Sequence, residues 1–180
     1  MGGVKKILSK RSLWRFNILM RVLVTIGSMS EKKFTRLFKI MDEICEEGII
    51  DGKQVVAQVG FDGYKSKYYD CFDMTSDENF KRMIDESDLI ITHAGTGTVT
   101  SSIKRGKKVI VFPRLVEYDE HYDNHQIELA ESFSKQGYVL VAKTKEELKK
   151  QIQNIDLFDP TPFISNNDRI SNMIIDFIEK

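Results

Sequence analysis

Asp88-Leu-Ile-Ile-Thr-His-Ala-Gly-Thr-Gly-Thr-Val-Thr-Ser-Ser-Ile-Lys-Arg-Gly-Lys-Lys-Val-Ile-Val-Phe-Pro113 is the stretch that decides the fold. Residues 89–91 form a short apolar run the length of a buried strand. The run ends in His93, Gly95 and Gly97, with threonines between the glycines. A segment able to form a helix follows, and a second apolar run, 109–112, is stopped by Pro113. Strand, glycine-rich turn, helix, strand is a βαβ unit. Glycine lets the backbone come close to a ligand, and the first N–H groups of the next helix lack intrahelical partners, so they face an anion. The pattern reads as a seat for a phosphate or diphosphate. Thr100 stands where a third glycine would complete the dinucleotide fingerprint, and no Gly-Lys-Ser/Thr follows at P-loop spacing. The competing reading is a plain tight turn where helix meets sheet.

Working outward, residues 22–26 are a β-branched strand closed by Gly27-Ser28. Residues 31–47 then place Phe34, Leu37, Phe38, Met41, Ile44 and Cys45 on one helical stripe, with Gly48 as its C-cap. Strands are expected at 55–59, ended by Gly60, and at 70–74, with a helix at 77–86 turning Phe80, Met83 and Ile84 inward. After Pro113 comes a polar loop, 114–126, then a helix at 126–136, a strand at 138–141 and a helix at 145–155. Asp159-Pro-Thr-Pro162 breaks the chain before a last apolar-striped helix at 165–179. The alternation predicts an α/β fold, a doubly wound, Rossmann-like parallel sheet. In such a sheet the turns at the carboxyl ends of the strands share the ligand-binding edge. The Gly27 turn and the Gly95–Gly97 turn should therefore face one crevice.

The 180 residues fit one domain with a sizeable core, 41% being hydrophobic. Charged residues make up 30% with a formal net charge of zero, which gives no sign of general nucleic-acid binding. Cys45 and Cys71 read as core thiols rather than a bridge. No apolar run reaches the roughly 18 residues of a membrane span. Residues 1–19 carry Lys5, Lys6, Lys10, Arg11 and Arg15, with no acid, among Val4, Ile7, Leu8, Leu13, Trp14 and Phe16. They read either as a basic amphipathic segment for an anionic membrane surface or as an unstructured extension before Met20. The organisation expected is an N-terminal extension at 1–19, a Rossmann-like domain at 20–162 and a C-terminal helix at 163–180.

The polar loop holds the remaining chemistry. His121 and His125 are four apart, but no Cys or His pair completes a metal set, so no metal is assigned. His93 either donates to a phosphate or caps its turn. The amides of Asn124 and Gln126 suit sugar hydroxyls, with helix capping by Asp123 or Asn124 as the alternative. Glu117, Glu120 and His121 are the candidate bases. No nucleophile elbow supports a serine triad.

With these residues in hand, the chain resembles the C-terminal, nucleotide-sugar-binding half of the GT-B glycosyltransferases of family 28. More closely, it resembles the stand-alone catalytic subunits of two-subunit transferases in bacterial exopolysaccharide and capsule synthesis. It is also similar to the soluble subunit of the eukaryotic dolichol-pathway UDP-GlcNAc transferase. The matching segments are Val24-Thr25-Ile-Gly27, Gln58-Val-Gly60, His93-Ala-Gly-Thr-Gly-Thr98, Gly106-Lys-Lys-Val-Ile-Val-Phe-Pro-Arg114 and Glu120-His-Tyr-Asp-Asn-His-Gln-Ile-Glu-Leu-Ala130. The resemblance implies a UDP-sugar donor held by Gly27, Ser28, His93, Gly95, Thr96, Gly97 and Thr98. It places Ser101 where longer members carry an acid for the ribose, and the sugar at Asn124, His125 and Gln126. It implies no cofactor and no nucleic acid. The acceptor would be a polyprenyl-diphosphate-linked glycan, presented by a membrane-anchored partner subunit at the cytoplasmic face of the membrane. Two rivals stand beside this: a non-catalytic nucleotide-sugar-binding regulator, and a UDP-sugar epimerase, which shares the fold but carries both halves in one chain.

Overall fold

The computed structural model describes residues 20–28 and 32–164. The expected basic segment at 1–19 and helix at 165–179 lie outside them. Six strands form one parallel sheet: β1 (Val22–Thr25), β2 (Val55–Gln58), β3 (Asp70–Phe72), β4 (Leu89–Thr92), β5 (Lys108–Val111) and β6 (Leu140–Val141). Their spatial order is β3-β2-β1-β4-β5-β6. The chain runs outward from β1 to β3, then returns to the other side of β1 and runs outward again. The direction reverses between β1 and β4, the crevice where doubly wound sheets bind ligands.

Among the described residues five helices cover the sheet: α1 (Thr35–Glu46), α2 (Asp77–Glu86), α3 (Thr96–Ile103), α4 (His125–Lys135) and α5 (Lys145–Gln153). Successive strand residues point to opposite faces, so the sheet feeds two cores. Val22, Val24, Leu89, Ile91 and Ile110 pack with Leu37, Phe38, Met41 and Ile44 of α1 and Leu148 and Ile152 of α5. Leu23, Ile90, Val109 and Val111 pack with Ile84 of α2, Val99 and Ile103 of α3, and Ala130 of α4. Burial on both faces is why β1, β4 and β5 read as unbroken apolar runs rather than alternating ones.

The boundaries differ from the sequence reading where a side chain from elsewhere intervenes. Helix α1 starts at Thr35, not at 31. Asp62, from the turn after β2, accepts from the Phe34 N–H at 2.8 Å and from the Thr35 hydroxyl at 3.0 Å, so the helix is capped from outside its own sequence. Strand β3 is shorter than expected. Strand β6 begins only at Leu140, because the α4 exit turn is closed by Tyr138 N–H donating to the Phe133 carbonyl at 3.1 Å. Helix α5 ends at Gln153, and a 3-10 turn, Ile155–Leu157, completes it. The described chain ends on the α3–α4 side, where Phe163 meets Tyr138 with ring centroids 5.4 Å apart.

Candidate functional site

Both glycine turns meet at one side chain. The partly buried His93 ring lies between Gly27 and Gly95. A Cβ on Gly27 would stand 2.7 Å from His93 Cε1, and one on Gly95 would overlap the same ring. Gly27 also has φ of +71°, a region only glycine enters freely. The first and fourth strands thus end in turns that approach closely enough to clasp one imidazole. Thr25 steadies the first turn: its hydroxyl donates to Gln58 Oε1 at 2.6 Å and accepts from the Gly27 N–H at 3.4 Å. The clasp takes His93 out of water, and Arg114 and His121 add positive potential, so the imidazole pKa is pushed down to about 4. The ring is neutral at physiological pH, with Nδ1 3.4 Å from the Thr92 hydroxyl and a hydrogen bond to the Thr25 backbone.

Gly97 is different. A Cβ there would meet no described atom within 4 Å, and its φ is not positive. Nothing in the described chain requires glycine at this position in the first turn of α3. The N-cap of α3, Gly95, has no side chain to cap the helix, so the N–H groups of the first turn face the crevice uncapped. A groove of about 420 Å³, lined by Thr96, Gly97, Thr100, Ser101, Lys104 and Arg105, runs along the outer side of α3. Within it Ser101 is engaged: its hydroxyl accepts from Arg105 Nη1 at 2.8 Å, and Arg105 Nε pairs with Asp85 at 3.0 Å. Ser28 is exposed beside the Gly27 turn.

Gln126 is buried, 5% exposed, and its carbonyl oxygen accepts from the N–H groups of Ala94, at 3.3 Å, and Arg114, at 3.0 Å. Two N–H donors fix which end of the amide points inward. The residue ties the start of α4 to the ends of β4 and β5, which leaves only its NH₂ group for a sugar. Asn124 and His125 are exposed, and the first turn of α4 is capped by Asp123, whose carboxylate accepts from the His125 N–H at 3.0 Å. The capping alternative therefore falls to Asp123, and the Asn124 side chain makes no cap bond.

The three candidate bases are placed very differently. Glu120 is 3% exposed and already neutralised. It takes Arg36 through Nε at 2.8 Å and Nη2 at 2.7 Å, and accepts from the Leu115 N–H at 3.0 Å. Both of its oxygens are thus committed to Arg36 and the Leu115 N–H, which leaves Glu120 bracing the loop rather than facing an acceptor hydroxyl. Glu117 is exposed on a 3-10 turn, Val116–Tyr118. His121 lies with Nδ1 3.0 Å from Asp123 Oδ1 and contributes to the potential at His93, so it borders the same crevice. Among the described residues no group of three or more His, Cys, Asp or Glu could hold a metal ion. Cys45 and Cys71 are both free, and burial pushes the Cys45 thiol up to about 11.

Sequence reasoning missed Arg36 and Arg114. Arg36 sits among Phe112, Tyr118 and Phe34, 4.5–5.5 Å from their ring centroids, and also donates to the carbonyls of Pro113 and Lys143. Arg114 is 0% exposed and bonds the carbonyls of Ile26, Lys32 and Glu120, and its Nε is buried without a partner. An unpaired buried donor costs roughly 1–3 kcal/mol. The one available signal was position: Arg114 follows Pro113 directly at the carboxyl end of a buried strand.

A six-stranded parallel sheet in this order, with clasped glycine turns at its switch point, defines a Rossmann-like domain of the kind found in GT-B glycosyltransferases. The chain belongs to the family of the glycosyltransferase family 28 C-terminal domain, which matches residues 21–178. It is 37% identical over 78 residues to the UDP-N-acetylglucosamine transferase subunit ALG13 of Candida albicans, covering 43% of this chain. It spans only 25% of that relative's length. The solution structure of an ALG13 superposes with a TM-score of 0.57 at 24% identity, covering 90% of this chain and 98% of the other. The UDP-GlcNAc 2-epimerase of Methanocaldococcus jannaschii, solved with UDP-GlcNAc and UDP, superposes with a TM-score of 0.56 at 14% identity, covering 92% and 48%. The epimerase likeness is one of fold. No helix among the described residues is long and apolar enough to cross a membrane.

Proposed function

We propose that this chain is the donor-binding subunit of a two-part glycosyltransferase. It holds a UDP-sugar at the β1–β4 crevice for transfer to a polyprenyl-diphosphate-linked glycan that a membrane-anchored partner presents. The observation that carries the reading is the clasp: two glycine turns closed on a neutral His93, beside an uncapped helix start with open space at Gly97. Transfer leaves negative charge on the departing diphosphate. Fixed N–H donors and the positive end of a helix stabilise that charge without having to reorganise. The NH₂ group of Gln126, with Asn124 and His125, borders the sugar.

The names of the relatives make UDP-N-acetylglucosamine the first donor to try. An exopolysaccharide or capsule glycan at the cytoplasmic face of the membrane is the acceptor setting we assign. The acceptor hydroxyl needs a base. With Glu120 engaged by Arg36, this chain offers Glu117 and His121, and the partner supplies the base if neither acts. That engagement is also what favours the second reading, a binding subunit without catalytic groups of its own. Loss of transfer, with donor binding kept, in Glu117→Gln or His121→Asn of the reconstituted complex would favour catalysis by this chain. Unchanged transfer in both variants would favour the partner.

The direct test is calorimetric titration with UDP, with ADP and NAD as controls, in wild type and Gly97→Val. A side chain at residue 97 meets open space, so the variant should fold, with Tm within about 2 °C of wild type, and lose saturable UDP binding. Binding as tight as wild type would move the diphosphate away from α3. No UDP binding, in the chain or in its complex, would end the nucleotide-sugar reading.

A further inference from the structure

Arg114 heads the largest fully buried side chains among the described residues, yet it lies at the carboxyl end of β5 and not in either apolar core. Its guanidinium is bonded by carbonyl oxygens alone. Nη1 donates to Lys32 at 2.9 Å and to Glu120 at 3.3 Å, Nη2 donates to Ile26 at 3.3 Å, and Nε donates to nothing. The two carboxylates whose charge it feels are committed elsewhere. Glu120 gives its oxygens to Arg36 and the Leu115 N–H, and Asp62 gives its oxygens to the Phe34 N–H and the Thr35 hydroxyl. Arg36, Arg114 and Glu120 together leave one positive charge over. A strut that only held the loops in place would do better neutral, because a buried cation without a bonded anion opposes folding. Two of the carbonyls it holds, on Ile26 and Lys32, flank the Gly27 turn in sequence, and its charge reaches His93.

We propose that Arg114 is a positioning residue for the anion: a fixed, buried cation behind the glycine clasp. It locks the loops after β1 and β5 together and supplies the excess positive charge that a diphosphate in the crevice neutralises. The proposal rests on the nucleotide-sugar reading above. Arg114 itself touches no ligand, being 0% exposed. It acts through the low-dielectric wall, where a unit charge is screened far less than at the surface. The charged and titratable groups facing this system are Glu120 and Asp62 toward Arg114, and Arg114 and His121 toward His93.

The test uses the full-length chain with Arg114→Met and Arg114→Lys. Three readouts are compared: affinity for UDP, affinity for uridine, and the His93 imidazole followed by NMR across pH. Arg114→Met should lose about tenfold in UDP affinity while uridine stays within about twofold, since only the diphosphate carries the charge. Its His93 should titrate above the wild-type value. Arg114→Lys keeps the charge without the fork, so its His93 should stay near the wild-type value and UDP within about threefold. Equal weakening of UDP and uridine in both variants would overturn the proposal and leave a structural strut. If Arg114→Met does not fold, Arg114→Lys decides alone: a His93 midpoint that rises despite the retained charge overturns the proposal. A wild-type chain, and complex, that bind no UDP end the nucleotide reading instead, while the His93 titration still judges the reach of the Arg114 charge.

Discussion

The two ends of the parallel sheet are built from different materials. Eight polar or charged residues are buried in the described chain, and six of them, Thr25, Gln58, Thr92, Arg114, Glu120 and Gln126, lie at or beyond the carboxyl ends of strands. At the amino ends of β1 and β4 the exposed Arg21 and Asp88 meet. Asp88 Oδ2 accepts from the Arg21 N–H at 2.8 Å, and the Arg21 carbonyl takes the N–H groups of Asp88 and Leu89. A concavity of about 500 Å³ at that end, lined by Met20, Asp88, Lys107, Lys108 and Ile155 among others, is larger than the groove along α3. Size alone would choose the amino end. Buried polarity chooses the other, because a fold holds desolvated charge only where a compensating network has been built.

The sharpest way to break this contrast is Glu120→Ala. It leaves Arg36 without its bonded carboxylate, Arg114 without a nearby negative charge and the Leu115 N–H without its acceptor. The expected loss is about 4 kcal/mol in urea unfolding. A loss under about 1 kcal/mol would mean that the carboxyl-end network stabilises nothing. Next in size is the pH response of His93. Above its ordinary value of 6.5 the imidazole is neutral folded or unfolded, so it contributes no pH dependence there. Below 6.5 the unfolded chain takes a proton that the folded chain refuses until about pH 4, so stability falls as the solution is acidified through that window. Wild type should lose on the order of 2 kcal/mol more than His93→Asn between pH 7 and pH 4. Parallel pH curves for the two would show that the clasp does not shift the ring. The smallest effect belongs to the amino end. Asp88→Ala removes one exposed side-chain bond to the Arg21 N–H and should cost about 1 kcal/mol or less, with UDP affinity unchanged. A change in UDP affinity there would erase the distinction between the ends.

Local chemistry was legible in the sequence. Residues 77–86 read as a helix because Phe80, Met83 and Ile84 recur at helical spacing, and the structure gives Asp77–Glu86 with Ser76 as its cap. The apolar runs of β1, β4 and β5, and the convergence of the Gly27 and Gly95 turns, followed from the same kind of reading. What did not follow was which distant groups would pair. Arg36 and Glu120 are separated by 84 positions, and Asp62 caps a helix that begins 27 positions before it. Neither pairing leaves a periodic trace. Glu120 looked like a base because it is an acid in a polar loop, and only the fold shows that a guanidinium had taken it. Gln126 looked like a ligand residue because amides suit sugars, and the fold uses its oxygen on two backbone N–H groups first.

The strand order carries a consequence for how the chain is made. Of the described strands β1 is synthesised first, yet it ends in the middle of the sheet, between β2 and β4. Its pairing with β2 joins residues 33 positions apart, but the other side waits for β4, which pairs Val22 with Leu89. During synthesis the most apolar edge of the nascent sheet is therefore open for the time it takes to add those intervening residues, a few seconds at about 5–20 residues per second. Non-local parallel pairing of this kind is slow, and an open strand edge invites pairing with other chains. Association on the ribosome should therefore concentrate in chains truncated between β2 and β4, and fall once Thr92 has emerged.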